Sequence, residues 1–203
     1  KSYLSAWFLL INAIQSESKD VFYVGPTFQQ SKDIMWAMLK DLGKDLIAQA
    51  HENTAVLTLI NGRKIYLKGS DRPDTLRGVG LAFCVLDEYA SMKPQVWEQI
   101  IRPTLSDVQG GALFIGTPAG KNHFYDLYID AFEDDDWDAF QFTSTDNPFI
   151  PETEIKAASK TMSSMSFRQE FEASFETNSG GIFKEEWFEK SKEPEEGSYV
   201  IAV

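Results

Sequence analysis

Short, continuous apolar runs alternate along most of the chain with stretches whose apolar positions recur at helical spacing. Residues 3–15 are apolar at most positions, interrupted at Asn12, and read as a buried helix. VFYVG at 21–25 is a compact apolar run closed by Pro26 and Thr27, which predicts a covered strand. Ile34, Met35, Met38 and Leu39 then fall on one helical face and predict a helix over roughly 29–42, capped by Thr27 or Ser31. Residues 55–60 (AVLTLI) and 64–67 (KIYL) alternate instead, and Asn61-Gly62 between them predicts a two-residue hairpin turn.

LAFCVL at 81–86 is continuously apolar, the pattern of a parallel strand covered on both faces, and it ends in Asp87-Glu88. Pro94 opens a helix predicted over 94–105, and GALFI at 111–115 predicts a second central strand ending in Gly116-Thr117-Pro118. A helix over 121–132 and a further strand at 138–143 follow. Beyond Asn147-Pro148 the pattern changes. Residues 151–174 read as mostly helix, TNSGG at 177–181 as a break, EPEEGS at 193–198 as a linker, and 199–203 as the start of a strand. Strands alternating with helices predict an α/β fold with a mostly parallel sheet.

Composition narrows the class. The chain has 203 residues, 43% hydrophobic and 25% charged, as a globular domain with a core requires. No apolar run reaches the ~18 residues of a membrane span. Its one cysteine, Cys84, excludes an internal disulfide, suits a reducing compartment, and reads as core within its apolar strand. The opening Lys1, with no Met or signal peptide, suggests a fragment. Net charge is −12, but unevenly spread: residues 1–125 hold 13 Lys/Arg against 12 Asp/Glu, and residues 126–203 hold 6 against 19. Such a chain is a poor non-specific DNA binder, so any DNA contact must be local. The candidate stretch is 61–77, with Arg63, Lys64, Lys68, Arg72 and Arg77; the alternative is that the basic hairpin at 61–72 simply packs on the sheet.

Four features carry chemistry. Asp87 and Glu88 close a buried strand at the edge where open α/β sheets bind ligands. In P-loop ATPases the first such acid holds Mg²⁺ and the second polarises the attacking water, although an acidic pair can also merely end a strand and cap a helix. Lys1-Ser2 runs straight into a helix, as the end of a phosphate-binding loop does; the lysine would reach the β- and γ-phosphates and the serine hydroxyl would coordinate Mg²⁺. Gly116-Thr117 ends the next strand, where a small polar residue can sense the γ-phosphate; a simple strand-to-loop turn uses the same residues. Arg77 could stabilise charge on a transferring phosphoryl group, often from a neighbouring subunit, or be a solvated loop arginine. The remaining residues are plainer. His51 and His123 lack partners at metal-ligand spacing, Phe167, Phe171 and Phe175 recur as a helix's core face would, and 133–138 reads as a solvated acidic loop.

In the order KS–helix, VFYVGPTFQQSKD, INGRKIYLKGSDRPDTLRG, FCVLDEYA, WEQIIRPTL, LFIGTPAGKNHFYDLY and FRQEFEASF, the chain resembles the large terminase subunits of tailed phages over essentially its whole length. The resemblance implies a P-loop NTPase of the RecA-like, ASCE kind, with an α/β/α three-layer fold. It implies an ATPase, using ATP and Mg²⁺, that drives double-stranded viral DNA into a procapsid. Lys1 and Ser2 then end the Walker A motif, whose glycine-rich part is absent; Asp87 and Glu88 form Walker B with its catalytic glutamate. Gly116 and Thr117 become the coupling motif, and Arg77 acts across a homo-oligomeric ring. The implied division is an ATPase core at 1–147, a helical region at 148–192, a linker at 193–198, and the first strand of an RNase H-like nuclease domain at 199–203. Implied partners are DNA, the portal protein and the small terminase subunit, in the host cytoplasm on the procapsid portal. A DEAD-like helicase shares the topology and the acidic pair and stands as the alternative.

Overall fold

The computed structural model describes residues 1–176. The expectations for 177–203, including the break, the linker and the terminal strand, lie outside the described residues. Six strands form one mixed sheet in the order β2-β3-β4-β1-β5-β6. They are β1 (Asp20–Gly25), β2 (Ile47–His51), β3 (Val56–Leu59), β4 (Lys64–Gly69), β5 (Leu81–Asp87) and β6 (Gly111–Ile115). The pairs β4/β1, β1/β5 and β5/β6 are parallel, while β2/β3 and β3/β4 are antiparallel. The parallel half therefore presents its carboxyl ends along one edge.

Strand alternation builds two cores. On one face Val21, Tyr23, Leu57, Ile65, Leu67, Phe83 and Val85 meet α1 (Ser2–Gln15) and α2 (Phe28–Leu42) through Ala6, Leu9, Leu10, Ala13, Met35 and Leu39. On the other face Phe22, Val24, Cys84 and Leu86 meet Leu76, Tyr89, Met92, Val96, Ile100 and Leu105. The sheet is thus sandwiched between layers, as the α/β/α reading requires. Cys84 is fully buried, as expected, and burial holds its thiol pKa far above the usual range. Thr27 is the cap of α2, its side chain accepting from the Gln30 amide. Ser31 instead stitches elements together: its hydroxyl accepts from Gly25 N–H at 2.9 Å and donates to Lys68 O at 2.6 Å.

Several local expectations are corrected. The hairpin loop has three residues, 60–62, because Gly62 N–H donates to Leu59 O and Leu59 N–H to Arg63 O. Gly62 takes φ +82°, the left-handed position of such a loop. Strand β2 has no sequence signal, since it is an edge strand exposed at every position but its half-buried first. The helix expected over 94–105 is a π-turn (Trp97–Ile101) running into the short α3 (Arg102–Ser106). Pro103 has no N–H and its ring crowds the carbonyl four residues back, which loosens the turn. Strand β6 is the edge of the sheet among the described residues rather than central, and 112–115 are only half-buried. No strand forms at 138–143: Phe140 and Phe142 alternate as a strand would, but among the described residues no surface covers them and both stay over 70% exposed.

The remaining helices are α4 (His123–Asp130), capped by Asn122, then α5 (Glu152–Thr161) and α6 (Ser164–Phe171). The predicted 151–174 helix breaks at Met162-Ser163, where Ser163 restarts it by capping Ser166 N–H. Phe167 and Phe171 stack at 5.0 Å, whereas Phe175 lies past the helix end and packs on Phe124, Tyr125 and Tyr128 of α4.

The end of β4 lies hard against the start of α2. A Cβ at Gly69 would sit 2.2 Å from Phe28 N and 2.7 Å from Thr27 C, backbone atoms that cannot swing aside. Gly69→Ala is therefore expected to destabilise the fold by ~1–3 kcal/mol, the usual range for overpacking. It should lower the urea midpoint with an unchanged slope, and an unaltered midpoint would show that α2 shifts freely on the sheet.

Candidate functional site

The carboxyl ends of β5 and β6 and the start of α1 converge. Lys1 Nζ donates to Thr117 Oγ1 at 3.3 Å and lies 3.7 Å from Glu88 Oε1. Thr117 N–H approaches Glu88 Oε2 at 3.5 Å. Three residues separated by up to 116 positions in sequence thus meet at one point, two from loops leaving adjacent parallel strands and one from a helix N-terminus. Ser2, half-buried, begins α1 beside Lys1.

Asp87 stands just inside this cluster and is 4% exposed. Tyr23 OH donates to its Oδ2, and Glu88 N–H donates to Oδ1 at 2.9 Å. No Lys, Arg or His among the described residues pairs with it, and its carboxyl oxygens are met by these two hydrogen bonds. The Tyr23 phenol is held neutral: burial, then the bond to Asp87, push its pKa far above the usual tyrosine range.

Glu88 adopts φ 55°, ψ 44°, a left-handed conformation that costs a residue with a Cβ about 1–2 kcal/mol. Its carbonyl then accepts from both the N–H and the hydroxyl of Ser91. The segment that follows is a single 3₁₀ turn, Tyr89–Ser91, and the Glu88 side chain makes no capping bond to it. The plain role of a helix cap therefore does not account for this glutamate. Gly116 faces the same bend. A Cβ there would touch Glu88 Cα and Tyr89 N, both at 3.4 Å. Tyr89 is buried beneath, edge-on to Phe114, His123 and Phe124, and its carbonyl lies 3.0 Å from His123 Nε2. His123 is thus a scaffold residue, and among the described residues no group of three His, Cys, Asp or Glu could hold a metal ion.

A cleft of about 260 Å³ opens beside Lys1, Gly116, Thr117 and Pro118. Its far wall is Phe142–Ser144, Asn147 and Ile150, with Gln169, Glu170 and Ala173. Thr143 and Asp146 lock that wall through a reciprocal cap, which holds the Asp146 carboxyl below its ordinary pKa.

Arg77 does not join the cluster. It is about half exposed, 3.9 Å from Asp74, and Nη1 donates at 3.4 Å to the carbonyl of Gln99. That carbonyl is the one Pro103, lacking an N–H, cannot bond. Lys68, in the basic stretch, packs on the sheet over Phe22 and Tyr66 at 5.7 and 5.5 Å, and burial lowers its pKa. Sequence reasoning places Tyr23 only within a strand and misses its part in the site. A polar aromatic in an otherwise apolar covered strand was the signal available for it.

The open α/β sheet, with an acidic pair at the end of β5 facing a Lys-Ser helix start, defines the fold of a P-loop-type ATPase domain. The family model "Terminase large subunit, T4likevirus-type, N-terminal" matches residues 1–190, and the chain belongs to that terminase family. The large terminase subunit of Escherichia phage T5 is 32% identical over 170 residues, 80% of this chain and 39% of the relative. That of Thermus phage G20c is 50% identical over 62 residues, 30% of this chain and 13% of the relative. The chain therefore spans well under half the length of the curated relatives it matches. In three dimensions it is similar to the ATPase domain of the Thermus phage P74-26 large terminase, with TM-score 0.74, 24% identity, and coverage of 86% of this chain and 83% of that one. The large terminase of a thermophilic bacteriophage, solved in complex with ADP, aligns with TM-score 0.70 and 19% identity over 85% of this chain and 44% of that one. At these identities the solved structures establish the fold. The family match leaves the helicase alternative without support.

The left-handed bend at Glu88 has a measurable consequence. Glycine adopts that conformation freely, so Glu88→Gly is expected to leave stability unchanged or raise it by up to about 1 kcal/mol, despite removing a side chain. Chemical denaturation reads this directly; a loss beyond about 1 kcal/mol would mean that the bend is not strained.

Proposed function

We propose that this chain carries the ATP-hydrolysing site of a viral DNA-packaging motor. The observation that carries the reading is the meeting of Lys1, Glu88 and Thr117 beside the buried Asp87. Nucleotide binding is supported by the large terminase of the thermophilic bacteriophage, solved with ADP and with ATP-gamma-S.

In this reading Lys1 supplies positive charge to the β- and γ-phosphates. Asp87 and the Ser2 hydroxyl would hold Mg²⁺. The residues fit that ion: Asp87 is a buried carboxylate with no cationic partner among the described residues, and Mg²⁺ sites use one or two carboxylates together with substrate phosphates rather than a cage of protein ligands. Bound there, the ion would neutralise charge developing on the phosphate oxygens. Glu88, with its carboxylate tethered to Lys1 and Thr117 N–H, is the group to orient and deprotonate water; a γ-phosphate would compete for the same lysine and release it. Thr117 then exchanges its bond from Lys1 for one to phosphate, and Gly116 carries that change toward the cleft wall at Phe142–Ser144 and Gln169-Glu170.

The cluster has no arginine of its own among the described residues, and Arg77 waits on an exposed loop, which supports its action on a neighbouring subunit's site. A homo-oligomeric ring follows from that role. The division into a core at 1–147 and a further region from 148 belongs to the same reading; residues 177–192 of that region lie outside the described residues. In it the motor acts on double-stranded viral DNA in the host cytoplasm, docked on the procapsid portal protein, with the small terminase subunit. A nuclease activity would reside beyond the residues described.

Two measurements on the full-length protein test this. Glu88→Gln should retain nucleotide binding but lose ATP turnover by on the order of 10²-fold or more, the typical contribution of general acid–base catalysis; undiminished turnover would remove Glu88 from its role. Arg77→Ala alone should also be inactive, yet mixing it with Glu88→Gln should restore part of the turnover. Mixed assemblies place an intact Arg77 against an intact Glu88, and a mixture that stays inactive would argue against action across subunits.

A further inference from the structure

We propose that Tyr23 is a positioning residue for Asp87, holding the carboxylate at the angle from which it can take a divalent cation. This rests on the reading of Asp87 as the magnesium-holding acid. Tyr23 lies in the middle of β1 with no exposed surface, where phenylalanine would fill the same apolar space. The hydroxyl is what needs explaining, and its one hydrogen-bond partner among the described residues is Asp87 Oδ2. Burying a hydroxyl is unfavourable unless it is bonded, so the pair is built as a unit.

Register accounts for the reach. Tyr23 is the partner of Val85 across the parallel β1/β5 pair, and Val85 and Asp87 lie on the same face of β5. Two residues of strand advance about 6.6 Å, close to the length of a tyrosine side chain. A shorter side chain at 23 would fall short, and one residue of slip would send the phenol to the opposite face.

The effect on Asp87 is directional. Tyr23 occupies one lone pair of Oδ2 and Glu88 N–H one of Oδ1. Each oxygen thereby accepts one hydrogen bond, and the pair restrains rotation of the carboxylate. The remaining lone pairs are left for a cation, a preorganised arrangement of the kind that hydrogen bonds to metal ligands provide.

The test uses the full-length protein and a fluorescent ATP analogue, with binding read by anisotropy as Mg²⁺ is titrated. Tyr23→Phe should move the Mg²⁺ midpoint roughly 10–100-fold higher, the usual loss when a partner of a metal ligand is removed, and leave magnesium-free nucleotide binding unchanged. Tyr66→Phe on β4, whose ring packs on Phe22 and makes no bond to Asp87, should leave the midpoint in place. Asp87→Asn separates the two ideas. If it abolishes the magnesium dependence while Tyr23→Phe leaves the midpoint unmoved, the positioning role is overturned and the metal reading stands. If Asp87→Asn itself changes nothing, the metal reading fails first. Should Tyr23→Phe not fold, 3-fluorotyrosine at position 23 keeps the hydroxyl and strengthens it as a donor; a midpoint displaced at least about threefold supports the role, and an unmoved one overturns it.

Discussion

A carboxylate taken out of water must be met by hydrogen-bond donors, and the site is organised around meeting Asp87. The donors come from two directions: the phenol of Tyr23 on the neighbouring strand, and the backbone amide of Glu88 immediately after it. The first depends on the parallel register of β1 and β5; the second depends on the chain bending sharply at the strand end. The left-handed turn at Glu88 is the conformational cost of that bend. Once the bend is made, the glutamate carboxylate points back to the start of α1 and to the end of β6, and the cluster with Lys1 and Thr117 follows.

The parallel half of the sheet makes this convergence possible. Parallel strands deliver their carboxyl ends to a common edge, so residues far apart in sequence arrive together without a long loop to hold them. Small and cyclic residues complete the geometry. Gly69 lets β4 abut the start of α2, where a Cβ would collide with backbone atoms. Pro103 offers no N–H to the Gln99 carbonyl four residues back, and Arg77 docks there, outside the cluster its own chain builds. An arginine held loosely on an exposed carbonyl is easily withdrawn, whereas one locked in its own cluster would not be.

Much of this was legible locally. Continuous apolar runs marked β1, β5 and β6, the alternating run marked the β3–β4 hairpin, and the acidic pair at 87–88 announced its place at the end of a strand. What went unread had weak or misleading local patterns. Strand β2 has almost no buried face and so no alternation to see. Residues 138–143 alternate well, but nothing among the described residues covers Phe140 and Phe142, and a pattern without a surface to bury it makes no strand. The 94–105 helix was recognisable as helical, yet its distortion turned on a single missing N–H.

The amino-acid order alone determined the fold class, most of its strands and the candidate site residues, because periodicity, strand ends and motif spacing are short-range properties. Only the tertiary structure decided that β6 is an edge, that Arg77 stands apart from the cluster, that Glu88 is bent into the left-handed region, and that Tyr23 belongs to Asp87. These are questions of which distant residues touch: Lys1 and Thr117 lie 116 positions apart, Tyr23 and Asp87 64. A contact of that kind is set by strand order and register, which depend on the packing of the whole sheet and leave no mark on the residues in between.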